Sequence, residues 1–282
     1  MSGGDGVVTY RHGIAIGQLV LFSVAMCFAV YFKLRYRNGW FCIGVFSAIR
    51  VIGAGCMLGT ISKDSDGLWA AVFVCESLGM VMMVILLLEF LYRANKLVPT
   101  IHPRWFFYPQ VLTWADLGLA IGGFAAASRN EHPLAPTKYT QASFGLFTGL
   151  YLIVCYTAWC FWRRLDTFAH DERLLIRCVA VCLPLLGIRT AYSLVFQITG
   201  DMAWNAVKGN PTPYLTMTVL TELGIIYVSI WAIMRVVPPP RKQRKDKNRG
   251  GPNEEQGYAL VGSATGSRER LKDDDTRVEV AR

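Results

Sequence analysis

Long apolar stretches alternate along this chain with short polar breaks. A window of about nineteen residues, close to the length that crosses a bilayer core, selects seven candidate helices at 11–32, 40–61, 68–92, 105–127, 139–162, 174–199 and 214–236. The expected fold class is all-α: a polytopic seven-helix membrane domain over 11–236, a short extracellular segment over 1–10 and a basic, polar cytoplasmic tail over 237–282. The eleven residues ahead of the first apolar run hold one basic side chain, Arg11, and that run exceeds the core of a signal peptide. The first span is therefore expected to stay in the mature protein.

Composition agrees with lipid as the solvent. Of 282 residues 53% are hydrophobic and 17% charged, and mean hydropathy is +0.33. The formal charge of +9 would suggest nucleic acid for a soluble domain. Here the positive charge sits in short connections and the tail, where membrane orientation accounts for it, so no nucleic-acid partner is expected. Lys and Arg in successive connections number 1, 3 (Lys33, Arg35, Arg37), 1 (Lys63), 3 (Arg93, Lys96, Arg104), 2 (Arg129, Lys138), 3 (Arg163, Arg164, Arg173), 1 (Lys208) and 11 in the tail. By the positive-inside rule this alternation puts the N-terminus outside and the C-terminus in the cytoplasm, in the plasma membrane or an endomembrane.

From Pro238 the chain reads PPPRKQRKDKNRGG and then stays polar, a composition that cannot build a core and is expected to be disordered. Arg241, Lys242, Arg244, Lys245, Lys247 and Arg249 stand beside the membrane, where they either anchor topology or hold anionic lipid headgroups. Four spans carry Gly-x-x-x-Gly, at Gly13/Gly17, Gly55/Gly59, Gly118/Gly122 and Gly145/Gly149, a spacing expected to let helices of the same bundle approach closely. Pro184 lies mid-span and is expected to kink its helix.

Five ionisable residues lie deep inside the spans: Arg50, Glu76, Asp116, Arg189 and Glu222. A charge at the bilayer centre costs at least ~2.5 kcal/mol, so each needs compensation. Counted from the outer helix ends, Arg189 is about ten residues deep and Glu222 about eight, or roughly 15 and 12 Å at 1.5 Å per residue. Arg50 and Glu76 match in the same way. Two Arg–Glu pairs are expected, in corresponding places of helices one to three and five to seven, a layout resembling the parallel three-plus-one-plus-three repeat of some transporters. The pairs either hold the bundle together or line an outward-facing polar cavity, with Asp116 unpaired and protonatable.

Other chemistry is missing from the pattern. The four histidines, His12, His102, His132 and His170, fall in loops or at helix ends on both sides, so no three meet to hold zinc or haem. No lysine lies inside a predicted span to form a retinal Schiff base, and no Gly-x-Ser-x-Gly marks a hydrolase. All eight cysteines fall within spans. An enzyme, a bound metal or a cofactor is not expected.

IRTAYSLVFQITGDMAWNAVKGN followed by MTVLTELGIIYVSIW carries Arg189, Tyr192, Trp204-Asn205, Gly209-Asn210 and Glu222. In these residues the chain resembles fungal seven-helix integral membrane proteins built on a domain of unknown function. In layout it is also loosely similar to fungal lipid-translocating exporter-like proteins. The resemblance implies the membrane fold and carries no activity with it. A candidate polar site of Arg50, Glu76, Asp116, Arg189, Tyr192 and Glu222 suits a transporter or a small-molecule-binding membrane protein. A receptor or sensor signalling through loops and tail, and a structural scaffold, remain the alternatives; the oligomeric state stays open.

Overall fold

The computed structural model describes residues 9–37, 39–62, 65–102, 104–127, 138–206 and 209–236. The chain divides into Met1–Pro239 and Pro240–Arg282. The basic tail segment 241–249 lies outside the described residues. Among the described residues every regular element is helical: α1 (Tyr10–Leu34), α2 (Trp40–Gly59), α3 (Asp66–Leu97), α4 (Arg104–Ala127), α5 (Lys138–Trp162), α6 (His170–Thr199) and α7 (Pro211–Arg235), with short 3₁₀ turns at Leu165–Thr167 and Met202–Trp204.

Six of these helices, all but α4, are long and apolar enough to cross a membrane. The expectation of seven spans narrows at α4: its 24 residues supply the length, but Arg104, Gln110, Thr113 and Asp116 dilute its apolar character. Helix ends run past the apolar blocks, because a helix continues wherever its backbone is bonded and a hydropathy window stops where lipid would. Thus α3 extends to Leu97 rather than 92, and α6 starts at His170 rather than 174, with Asp171 and Glu172 in the first turn. Carboxylates there suit the exposed N–H groups of a helix start. At the other end of α6, Gly200 takes the left-handed conformation (φ 66°) that closes the helix and that other residues adopt only with strain.

Inward residues of α1 recur with helical spacing, at Phe22, Ala25, Ala29 and Phe32, while Ile16, Val20, Val24 and Val30 are exposed. A helix apolar on both its packed and open sides belongs in lipid. Central to the bundle is α3, packed against α2, α4, α5 and α6, with Met83, Val84, Leu86, Leu87, Phe90 and Leu91 all buried. On the outside, α1 packs on α2 and α7, and α6 packs on α5 and α7.

Polar fastenings at the two ends make consecutive helices antiparallel. At one end, Glu89 near the end of α3 accepts from Gly39 N (3.2 Å) and Cys42 Sγ (3.5 Å) at the start of α2. Arg37 of the α1–α2 connection donates to the carbonyls of Ile233 and, at 3.3 Å, Val236, the free acceptors that end α7. Trp105 at the start of α4 donates to Thr157 late in α5 (3.1 Å). At the opposite end, Arg11 reaches Gly209 O (3.1 Å) and Gln141 reaches Gln197 O (3.2 Å). Exposed Tyr31, Trp40, Trp105, Tyr108, Trp159, Trp162 and Trp231 crowd the first end beside Lys33, Arg35 and Arg235, a mix of aromatic and basic groups suited to a headgroup layer.

The close packing expected of the Gly-x-x-x-Gly pairs is not found. A Cβ added at Gly13, Gly17, Gly55, Gly118, Gly122, Gly145 or Gly149 would meet nothing within 4 Å, and at Gly59 only Leu68 at 3.7 Å. Those glycines turn away from their neighbours, and spacing alone does not say which way a helix face points. Helix α6 runs unbroken through Pro184, and Tyr151 donates to the carbonyl of Leu183 (3.2 Å). All eight cysteines are free thiols.

Where α3 ends, the buried Asn95 organises the turn into α4. Its Oδ1 accepts from Thr100 N and Ile101 N (both 2.9 Å) and its Nδ2 donates to Ile101 O (2.8 Å). Removing this amide strands three backbone groups, each worth about 1–3 kcal/mol when buried unpaired. Asn95→Ala is expected to lower stability by about 2 kcal/mol or more in thermal unfolding of the detergent-solubilised protein, and Asn95→Asp, which keeps the acceptor, by less.

Candidate functional site

Four of the deep charges meet at one point. Arg50 of α2 contacts Glu76 Oε1 of α3 through Nη1 (2.7 Å) and Glu222 Oε1 of α7 through Nη2. Arg189 of α6 contacts Glu76 Oε2 through Nη2 (2.9 Å) and Glu222 Oε1 through Nε (3.0 Å). Cations and anions alternate around a closed ring, so every charge has two opposite neighbours and the group as a whole is neutral. The four are almost wholly enclosed, at 3%, 6%, 1% and 0% exposure for Arg50, Glu76, Arg189 and Glu222. In so enclosed a place a charge missing its partner would be far more destabilising than in water, and the ring leaves none without one.

Both Arg–Glu contacts expected from helix depth are present. Depth did not reveal that the two pairs join, since joining depends on which helices face each other across the core. Around the ring, Arg189 also donates to Ser193 Oγ, one turn along α6, and Tyr214 donates to Glu76 Oε1 (2.6 Å). Gln18 of α1 donates in turn to the Tyr214 hydroxyl (3.2 Å), and the Arg11 guanidinium lies 5.4 Å over the Tyr214 ring.

Tyr214 sat at the very edge of the last apolar block and was not among the candidates. In a regular helix, eight residues between Tyr214 and Glu222 make about 2.2 turns, leaving the two side chains roughly 80° apart. The segment Leu215–Val219 is a π turn, whose wider i→i+5 bonding absorbs about one extra residue. The spacing then acts like seven residues, about 20° from alignment, and both side chains reach the ring. Gly79 is the other residue the pattern concealed. A Cβ there would stand 2.9 Å from Arg50 Nη2 and 3.1 Å from its Cζ, so the bare backbone of α3 makes room for the guanidinium.

The remaining candidates lie outside the ring. Asp116 of α4 is buried between α3 and α5 and is not isolated as expected, because Ser143 of α5 donates to its Oδ1. Tyr192, three residues beyond Arg189, packs on Trp204 with ring centroids 5.9 Å apart. Its hydroxyl is buried with no hydrogen-bond partner among the described residues, as are Arg50 Nε and Glu222 Oε2.

Two small cavities flank the ring on the side of the α6–α7 connection. Arg11, Gln18, Arg50, Glu76 and Tyr214 line one; Glu76, Arg189, Tyr192, Ser193 and Trp204 line the other. Each encloses about 20 Å³, enough for a water molecule. Glu76 and Ala206 border both. Among the described residues no group of three or more His, Cys, Asp or Glu could hold a metal ion.

A family model described as a domain of unknown function (DUF7702) matches residues 8–236, a range that holds every described helix. No curated protein and no solved structure matches it.

The room made by Gly79 is directly testable. Gly79→Ala must push the Arg50 guanidinium by several tenths of an ångström, and overpacking of this kind is typically destabilising by about 1–3 kcal/mol. Gly55→Ala, into open space, is expected to be neutral or to stabilise by up to about 1 kcal/mol. Thermal unfolding of the two variants side by side checks the contrast.

Proposed function

The chain belongs to the DUF7702 family, and from the way its buried charges are shared we propose a membrane protein that binds and passes a small polar molecule, with the charge ring as its gate. The observation that carries this reading is the origin of the four charges. Arg50 and Glu76 come from α2 and α3, Arg189 and Glu222 from α6 and α7, and each helix pair already holds one complete Arg–Glu contact. Only Arg50–Glu222 and Arg189–Glu76 cross between them. Those two bonds can part without orphaning a charge, because each half keeps a neutral pair. A fastening that opens at no cost in net charge is the kind of two-state element a gate requires.

Exchanging Arg50/Glu76 with Arg189/Glu222 leaves the bonding pattern unchanged, and α1 packs on α7 as α5 packs on α3. This supports two like triplets, α1–α3 and α5–α7, joined by α4. In that arrangement α4 is the seventh span, about 36 Å long at 1.5 Å per residue against a core of about 30 Å. The end rich in aromatic and basic side chains faces the cytoplasm, and the cavities beside the ring open toward the other side. On the cytoplasmic side Arg241–Arg249 of the tail contacts anionic headgroups. A second reading, a static scaffold fastened by the ring, draws on the near-complete burial of its members.

Charge reversal within one half separates the two. Arg50→Glu/Glu76→Arg keeps the inner pair and overall neutrality but turns both crossing contacts repulsive. A gate is expected to stay folded and open, with faster amide hydrogen exchange around residues 73–80 and 186–193, and the matching Arg189→Glu/Glu222→Arg reversal added to it should return exchange to the original rate. A scaffold would instead lose its folded state in the first variant. For orientation, a C-terminal tag is expected to be reachable only after cells are permeabilised; labelling of intact cells would reverse the topology.

A further inference from the structure

A third cavity, between α3, α4 and α5, is lined by Asp116 together with Thr140, Ser143, Phe73, Phe144 and Phe147. We propose that it binds ammonium against the Asp116 carboxylate. Asp116 is 3% exposed, and a carboxyl so enclosed stays ionised only beside a counter-charge and otherwise takes up a proton. Both deep arginines are committed to the ring, and no basic side chain forms an ion pair with Asp116 among the described residues. Among the described residues Ser143 donates to its Oδ1 and, at 3.5 Å, to its main-chain oxygen. One such bond to the carboxylate leaves most of its acceptor sites for a further donor.

Size and lining select the ion. The space is about 20 Å³, that of one water, and ammonium is close to water in size while carrying only donors. Hydroxyl oxygens and the carboxylate accept those donors, and three phenylalanine rings offer the negative faces that attract a cation. Calcium or magnesium would need six or more oxygens at short range, which a lining of three phenylalanines, a methionine and a valine with only four oxygen-bearing side chains does not provide. Anions are repelled by the carboxylate. Phe73, Ser77, Met80 and Phe144 also line the cavity that reaches Glu76 and Arg189, so the ion sits one wall away from the ring. The route past the ring rests on the gate reading; occupancy of the cavity does not.

The test uses the full chain in phosphatidylcholine nanodiscs, titrated with ammonium chloride against sodium chloride at equal ionic strength and fixed pH, with thermal unfolding as readout. A saturable rise in Tm with ammonium, absent with sodium and with tetraethylammonium, is expected. Asp116→Asn, which preserves shape and can still accept from Ser143, should unfold near the original Tm without the ion and lose the rise. Phe144→Leu should weaken the apparent Kd several-fold. The proposal is overturned by no saturable rise, by an equal rise with sodium, or by an unchanged rise in Asp116→Asn. If Asp116→Asn does not fold, an unchanged Kd in Phe144→Leu overturns it. Failure of the charge-reversal experiment would remove the gate and leave a measured ammonium affinity standing; failure here would leave the gate standing without this ligand.

Discussion

Two guanidinium groups and two carboxylates share one enclosed volume, and the arrangement of the helices around it follows from that requirement. Lipid-facing helices gain little from burying apolar side chains against one another, since hydrocarbon surrounds them already. Charges are different. A single Arg in this position would be intolerable, and four charges that alternate around a closed path draw α2, α3, α6 and α7 to one level. Tyr214 and Gln18 carry the same network out to α1. Around this centre the apolar core of α3 is free to be plain packing, with Met, Leu, Val and Phe filling the space between helices.

The ends of the bundle obey a second rule. Basic residues near the aromatic end are usually read as markers of orientation, yet Arg37 also satisfies carbonyls at the end of α7, and Arg173 bonds the carbonyls of Asp166 and Phe168. Lys33 lies 5.1 Å from the Trp40 ring. The same cations that orient a chain in a bilayer thus close its loops, because helix ends leave carbonyls free just where positive charge accumulates.

Much of this was legible before any coordinates. Apolar runs revealed long helices because lipid leaves a helix no polar side, and the depths of Arg50, Glu76, Arg189 and Glu222 revealed pairing because an isolated charge is forbidden there. What stayed hidden depends on directions around the helix axis. Gly-x-x-x-Gly spacing could not tell that Gly118 and Gly145 face open space. Tyr214 is out of phase with Glu222 unless the π turn is known, and Ser143 is an ordinary hydroxyl until α4 and α5 set it beside Asp116. For α4, length and apolarity disagreed: Asp116 turns inward to Ser143, Thr113 bonds the carbonyl of Pro109 in its own helix, and Arg104 and Gln110 are exposed.

The π turn in α7 has one more consequence. A widened turn is a register fault that a helix can hold at any of several places, since each placement breaks and remakes the same kind of backbone bond. With the fault N-terminal to Glu222, that carboxylate points into the core. Moved just beyond it, with the C-terminal part of α7 held in place, the fault would turn the carboxylate through about 100°, one residue's worth of rotation. The helix itself would remain continuous. Its last turns could stay bolted to Arg37 while the segment bearing Glu222 rotated, so that α7 would act less as a strut than as a shaft with a key.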